Sequence, residues 1–110
     1  MEEKELKEIL ENNIKIVDHY GVKQQMPVWV EELSELTKVI CKWMRKYDKL
    51  EGDISESLLT DMKEEITDVT ICIDQLRYIL NFTEDDLMKE YKFKVDRQLG
   101  RIEDERNKEN

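Results

Sequence analysis

The sequence is poor in the residues that end regular structure, with one Pro and three Gly among its 110 residues. An all-β sandwich or barrel needs a turn signal roughly every 8–12 residues, so this class is excluded. No apolar run approaches the roughly 18 residues that a membrane-spanning helix requires. The first ten residues are rich in acids, whereas a secretory signal peptide begins with basic residues and continues with an apolar stretch. These absences predict a helical protein of the cytoplasm that does not enter the membrane.

Positive charge is also scarce. The chain has 18 Lys and Arg against 27 Asp and Glu, which gives a formal net charge of −9. Such a surface does not neutralise nucleic-acid phosphates or anionic lipid headgroups, so neither is an expected partner. The 39% share of hydrophobic residues is too large and too periodic for a disordered acidic tail. The two cysteines, Cys41 and Cys72, lie far apart in apolar-periodic segments and are interpreted as reduced core thiols.

Apolar residues recur at spacings of three and four in four segments, which predicts four helices. The predicted helices are residues 2–20, 27–47, 55–80 and a fourth that begins after Thr83. Gly21 suits the end of the first helix, and residues 22–26 are predicted to be a connector. Pro27 suits the first turn of the second helix, where its missing N–H costs nothing. Thr83 and Asp86 have the spacing of a capping box at the start of the fourth.

These helices predict an all-α protein, most simply a four-helix-type bundle formed by one domain of residues 1–110. Its last residues, 103–110, form a polar tail that is expected to fray. The second helix carries an apolar stripe at Val30, Leu33, Thr37, Ile40 and Met44. Because the core of a bundle this small is thin and the apolar faces are broad, we expect oligomerisation to complete the bundle.

Two pairs of acids lie among apolar residues rather than on a uniformly polar helix face. Glu32 and Glu35 lie in the sequence VWVEELSELTKVI, and Glu65 and Asp68 lie in MKEEITDVTICID. A separation of three residues places both side chains of a pair on one helix face, about 5–6 Å apart at Cβ, where like charges repel. The centres of the two pairs are symmetric about position 50, close to the turn signal Gly52-Asp53. In an antiparallel helix hairpin the four carboxylates would therefore lie at nearly the same depth.

Four converging carboxylates have the chemistry of a site for a hard cation. Mg²⁺ prefers oxygen ligands in octahedral geometry and keeps several waters, and a bound cation would remove the repulsion within each pair. The alternative is four solvated acids that are symmetric about a turn by coincidence, since acids on amphipathic helices most often form the solvent-exposed face.

The fourth predicted helix carries basic residues that would complement such a site. Lys94, Arg97 and Arg101 share one face at spacings of three and four. Together with a metal centre they would neutralise a polyphosphate substrate. The alternative is that they are ordinary solvated residues of an acidic protein. The chain has no Gly-rich phosphate loop, so a P-loop enzyme is excluded.

The acid pairs and their order resemble a known metal-binding signature. Glu32-Leu33-Ser34-Glu35 followed by Glu65-Ile66-Thr67-Asp68 is similar to the E-x-x-E and E-x-x-D motifs of the all-α nucleoside triphosphate pyrophosphohydrolases, the MazG-like superfamily, which includes the dimeric dUTPases. The resemblance also includes a Tyr20-Gly21 turn before the first motif and a basic segment around 94–97 after the second. It covers roughly residues 14–102. The gap between the motifs, residues 36–64, is at the long end for this family.

The resemblance implies a reaction and a role for each matching residue. Glu32, Glu35, Glu65 and Asp68 would bind one or more Mg²⁺ ions, with Mn²⁺ as a substitute. The metal would bind a nucleoside triphosphate and activate a water for attack on the α-phosphorus. The products would be a nucleoside monophosphate and pyrophosphate. Glu31 or Glu64 would orient the water.

Substrate contacts and assembly are also implied by the resemblance. Lys94, Arg97 and Arg101 would bind phosphates, and Gln25 and Trp29 are candidates for contacting the rest of the nucleotide. Family members assemble as dimers or dimers of dimers, so we expect a homodimer or a homotetramer. The competing interpretation is a non-catalytic helical interaction module, or a regulatory relative of the same fold that has lost turnover. The sequence leaves the preferred base and sugar open.

Overall fold

A computed structural model describes residues 1–49 and 53–109 of the chain. These residues form four α-helices: α1 Glu3–Tyr20, α2 Val22–Lys46, α3 Glu56–Ile79 and α4 Glu84–Glu109. The described part of the chain contains no β-strand, which confirms the predicted all-α class. None of its helices is both long and apolar enough to cross a membrane.

A single residue, Gly21, connects α1 and α2. Its φ of +82° lies in the region that favours glycine. Its N–H donates to the Val17 carbonyl (2.8 Å), and its own carbonyl accepts from the Gln25 N–H (3.1 Å). The prediction of a connector over residues 22–26 is therefore wrong, because these residues are already the first turn of α2.

Pro27 lies inside α2 rather than at its start. A proline there removes one intrahelical hydrogen bond, and this is why the sequence favoured a helix start at this position. The residues on either side explain the difference. Gln25 and Trp29 are both buried and both donate hydrogen bonds to Gln75 of α3, so tertiary contacts hold this segment helical.

The start of α3 follows the prediction closely. Ser55 caps the helix, since its Oγ accepts a hydrogen bond from the Leu58 N–H at 3.3 Å. The helix ends at Ile79, one residue before the predicted end. Of the turn predicted between α2 and α3, Asp53 is in irregular structure, and Gly52 lies outside the described residues.

The residues Met1–Ile79 form one compact unit in which α1, α2 and α3 pack against one another. Helices α2 and α3 are antiparallel, because Gln25 near the start of α2 contacts Gln75 near the end of α3. The core cluster consists of Val17, Trp29 and Cys72, one from each helix. Further buried side chains of α3 are Leu58, Met62 and Val69. Cys41 and Cys72 are both free thiols, but only Cys72 is the core thiol that was predicted, because Cys41 is half-buried.

The predicted apolar stripe of α2 lies on the outside of this unit. Val30 is 65% exposed and Met44 is 69% exposed, and Leu33, Thr37 and Ile40 between them are exposed as well. We call these five residues the outer stripe of α2. The side of α2 that faces the core instead carries Gln25 and Trp29. Completion of the bundle by oligomerisation stays a prediction.

Helix α4 belongs to a second compact unit that begins at Leu80. Its start is the predicted capping box: the Thr83 N–H donates to Asp86 Oδ2 (2.9 Å), and the Asp86 N–H donates to Thr83 Oγ1 (3.1 Å). These bonds hold the pKa of Asp86 below its usual value. The helix extends to Glu109 through the polar segment for which fraying was predicted, and no described residue of α4 is buried.

Candidate metal centre

Three of the four predicted metal ligands lie together between α2 and α3. Glu32, Glu65 and Asp68 each have a carboxylate oxygen within 4.8 Å of the oxygens of the other two. Glu65 and Asp68 occupy successive turns on one face of α3. Glu32 comes from the antiparallel α2 and lies at the same depth. Glu32 and Asp68 lie at equal distances in sequence from position 50, so their contact is the one that the predicted symmetry leads us to expect.

Glu35, the fourth predicted ligand, lies outside this group of three. Its Oε1 accepts a hydrogen bond from Lys38 Nζ at 3.2 Å on the same helix. Its charge nevertheless contributes to raising the pKa of Glu65, so its carboxylate lies within electrostatic range of the centre. An exposed Lys–Glu pair one turn apart is worth little and can be exchanged for another partner.

Two carboxylates of the centre hold their protons more tightly than usual. Burial raises the pKa of Glu32, and the charges of Asp68 and Glu65 add to the effect. Burial is also the largest cause of the raised pKa of Glu65, and the charges of Asp68 and Glu35 raise it further. Both shifts have the same origin, since carboxylates that lose water and face one another favour the neutral form. A bound cation would reverse both effects.

One oxygen of the centre has no partner. Glu65 Oε2 is shielded from solvent and accepts no hydrogen bond from any described residue. A shielded acceptor without a donor costs free energy, and a cation ligated by this oxygen would remove the cost. All ligand atoms in the group are carboxylate oxygens, which suits Mg²⁺ or Mn²⁺ better than a softer metal. The residues therefore fit the cation that the sequence predicts.

An open groove of about 490 Å³ runs along α3 beside the centre. It is lined by Thr60, Lys63, Glu64, Thr67 and Asp68. Glu64, one of the two predicted water-orienting residues, thus shares a groove with a carboxylate of the centre. Lys63 was not predicted, although its position directly before Glu64 in the sequence could have indicated it. Glu31, the other predicted residue, is exposed on α2 next to Glu32.

A smaller cavity of about 200 Å³ also adjoins the centre. It is lined by Ile16, Gln25, Val28, Glu32, Asp68, Ile71, Cys72 and Gln75. Gln25, a predicted substrate contact, therefore faces the same space as two carboxylates of the centre. Trp29, the second such prediction, does not line the cavity: it is buried in the core, and its indole N–H donates to Gln75 Oε1 at 2.8 Å.

Buried amides connect the three helices next to this cavity. Gln75 Nε2 donates to Asn13 Oδ1 (2.8 Å), and Gln25 Nε2 donates to Gln75 Oε1 (3.1 Å). Asn13 and Gln75 are not among the residues predicted from the sequence. Both could have been found as amides at apolar positions, because Asn13 lies three residues after Leu10 and Gln75 three residues after Cys72.

The predicted phosphate-binding residues lie on α4, in the second unit. Lys94, Arg97 and Arg101 are all exposed there. The Arg97 guanidinium lies over the Phe93 ring, 5.7 Å from its centroid, which is a cation–π arrangement. Arg101 Nη1 donates a long hydrogen bond (3.4 Å) to Gln98 Oε1. No ion pair within the described residues neutralises these three side chains.

Comparison with known proteins finds no relative of this chain. No protein-family model matches the chain, and neither the curated proteins nor the solved structures give a match.

Proposed function

We propose that the chain is a Mg²⁺-dependent nucleoside triphosphate pyrophosphohydrolase that resembles the MazG-like superfamily. It would cleave an NTP or dNTP to the monophosphate and pyrophosphate. The observation that carries the proposal is the convergence of Glu32, Glu65 and Asp68 from two helices, together with the shielded Glu65 Oε2 that accepts no hydrogen bond from any described residue. The packing of α2 on α3 brings these three acids together despite their mutual repulsion, which a bound cation would relieve.

Glu32, Glu65 and Asp68 would hold the metal, and Glu35 would join them by leaving Lys38. When bound, Mg²⁺ neutralises phosphate charge and lowers the pKa of a bound water. Of the two candidates for orienting a water, Glu64 is favoured over Glu31, because it shares the groove along α3 with Asp68. A carboxylate in this position accepts a hydrogen bond from the water and can take up its proton.

Two sets of residues would bind the substrate. Lys63 in the groove is a cation beside the carboxylates and would contact a phosphate. Lys94, Arg97 and Arg101 of α4 stay the phosphate-binding residues that the resemblance implies. Within the described hydrogen bonds, Gln25 uses its Nε2 and leaves its Oε1 free, so this oxygen would accept a hydrogen bond from the nucleotide.

Assembly as a homodimer or homotetramer in the cytoplasm is part of the proposal. The outer stripe of α2 supports it, since four of its five residues are apolar side chains at least 40% exposed, and a row of exposed apolar side chains is typical of an interface. The same stripe favours the second candidate, a non-catalytic helical interaction module, which would need the surface but not the metal centre.

The proposed activity is tested by measuring nucleotide hydrolysis directly. The purified protein would be incubated with a panel of standard and modified NTPs and dNTPs in Mg²⁺, with and without EDTA, and pyrophosphate release measured. We expect metal-dependent release from at least one nucleotide. An assembled protein that binds no Mg²⁺ and releases no pyrophosphate from any nucleotide would support the interaction module instead.

A further inference from the structure

A buried chain of side-chain hydrogen bonds crosses the first unit from α1 to α2. Asn13 Nδ2 donates to the Ile71 carbonyl (3.1 Å), and Gln75 Nε2 donates to Asn13 Oδ1. Gln75 Oε1 then accepts from both Gln25 Nε2 and Trp29 Nε1. The three amides are at least nine-tenths buried, and Gln75 is only 3% exposed. We call this set the amide chain.

The direction of the amide chain is fixed at both ends. The Trp29 indole N–H can only donate, so the atom of Gln75 that faces it must be the oxygen. At the other end the Ile71 carbonyl can only accept, so Asn13 must present its NH₂ group there and its oxygen to Gln75. Both requirements give Gln75 the same orientation. The chain therefore has one arrangement of donors and acceptors, and a displaced helix would leave buried groups unpaired.

The amide chain lies two helical turns from the metal centre on both helices. Gln25 precedes Glu32 by seven residues on α2, and Gln75 follows Asp68 by seven residues on α3. Because the helices are antiparallel, the Gln25–Gln75 contact and the Glu32–Asp68 contact belong to one register. A shift of α2 along α3 that breaks the first contact also separates the second.

The metal centre needs such a restraint. Its carboxylates repel one another, and burial of Glu32 and Glu65 makes the repulsion stronger. The apolar contacts of the small core are non-directional, so they resist separation of the helices better than sliding. Buried polar groups are known to specify helix register in packed helices, at a cost in stability. The amide chain has the position and the geometry for this role.

We propose that the amide chain is the positioning element of the carboxylate centre: it fixes the register of α2 against α3 in which Glu32 faces Asp68. The inference rests on the proposed function, because it concerns the same metal centre. Gln75 is the central positioning residue, since it is the one member that bonds to both α1 and α2.

The test separates stability from register. The variant Asn13→Leu, Gln25→Leu, Trp29→Phe, Gln75→Leu replaces every side chain of the amide chain with an apolar one and leaves no buried donor behind. Such replacements are often neutral or stabilising. We expect an unfolding temperature no lower than that of the wild type but at least tenfold weaker binding of Mn²⁺, measured by calorimetric titration. Met62→Leu, an apolar change in the same helix, is the matched control and should bind Mn²⁺ like the wild type.

A second measurement determines the register of α2 against α3 in the metal-free protein. NMR contacts between α2 and α3 should pair Glu32 with Asp68 in the wild type and should shift or multiply in the variant. If the wild type binds no Mn²⁺, the proposed function fails, but the NMR contacts still decide the positioning role. Unchanged contacts together with Mn²⁺ binding within twofold of the wild type would overturn the inference. Should the fourfold variant not fold, Gln75→Met is measured in the same way below its own unfolding temperature.

Discussion

Glu32 of α2 and Asp68 of α3 have carboxylate oxygens within 4.8 Å of each other, although the two residues are 36 positions apart in the sequence. Two like charges meet here because the antiparallel packing of α2 on α3 brings these two positions to the same depth. The contact is unfavourable while both carboxylates are charged, and a bound cation would offset the repulsion. The fold of the hairpin therefore determines whether the proposed metal site can form, and each prediction on the site depends on this contact.

Removing a carboxylate of the centre should abolish metal binding without unfolding the protein. We expect Asp68→Asn to reduce Mg²⁺-dependent turnover by about 100-fold or more, since loss of even an indirect partner of a metal ligand typically costs 10–100-fold. Helical content by circular dichroism should persist, because the variant also removes a repulsive charge. Glu11→Gln, an exposed acid of α1, is the control. Turnover retained in Asp68→Asn would show that the metal assignment is wrong.

Glu35 tests whether the centre changes on metal binding. Its carboxylate is paired with Lys38 and stands outside the group of three. If it joins the centre, Glu35→Gln should weaken Mg²⁺ binding by about tenfold, whereas Lys38→Met should leave it unchanged or tighter, because an exposed ion pair contributes little. Titration calorimetry of both variants measures this. Wild-type affinity in Glu35→Gln would mean that only three carboxylates bind the metal.

Lys63 is expected to act on substrate binding rather than on the chemical step. Its side chain lines the groove beside Asp68 and would contact a phosphate equally in the ground state and the transition state. We therefore expect Lys63→Met to raise KM by about tenfold with kcat nearly unchanged. Lys4→Met, on the exposed start of α1, is the charge-matched control. A fall in kcat at constant KM would contradict a simple binding role.

The outer stripe of α2 predicts the assembly. Replacing Val30 and Met44 with Lys places one charge at each end of the outer stripe, inside the proposed interface, where unpaired charges are costly. We expect the double variant to sediment as a monomer and to remain helical, whereas the wild type sediments as a dimer or tetramer. A control with Lys7→Glu on α1 should behave as the wild type. A wild type that is monomeric at all concentrations would contradict the oligomer.

The features that depend on residue spacing within a helix could be predicted from the sequence. The four helices, the Thr83–Asp86 capping box and the convergence of Glu32 with Glu65 and Asp68 all follow from spacing and from the antiparallel turn between α2 and α3. The expectation that proline marks the first turn of a helix was wrong at Pro27. The buried contacts of Gln25 and Trp29 with α3 outweigh this preference.

The parts of the site that could not be predicted depend on which helix face is buried. The spacing of Asn13 and Gln75 from apolar residues could have marked them as buried amides, but the hydrogen-bond partners of a buried amide depend on how the helices pack and cannot be read from spacing. The five residues of the outer stripe of α2 were recognised as one apolar face, but periodicity does not say whether that face meets the same chain or another one. Trp29 was predicted to contact the substrate, but its indole N–H donates a hydrogen bond to Gln75 in the core instead.

The pH dependence of stability gives the last prediction. The pKa values of Glu32 and Glu65 are raised above the ordinary 4.5 in the folded protein, so the folded state takes up protons before the unfolded state as the pH falls. These two groups therefore add stability to the metal-free protein as the pH falls from neutral towards 4.5, and the gain is lost again as the pH rises through the raised pKa values. Mg²⁺ binding should weaken over the same range, because protons compete for the same oxygens.

Thermal unfolding of the metal-free protein between pH 7 and pH 4.5 measures this effect. The difference in unfolding temperature between the wild type and Glu65→Gln should favour the variant at pH 7, where the wild type carries the repulsion, and should shrink as the pH falls. Glu11→Gln is the control, since its acid is not among the charges that raise either pKa. A wild type that loses stability relative to Glu65→Gln on acidification would mean that the two carboxylates are stabilised in their charged forms without a metal, and the electrostatic basis of the metal centre would be wrong.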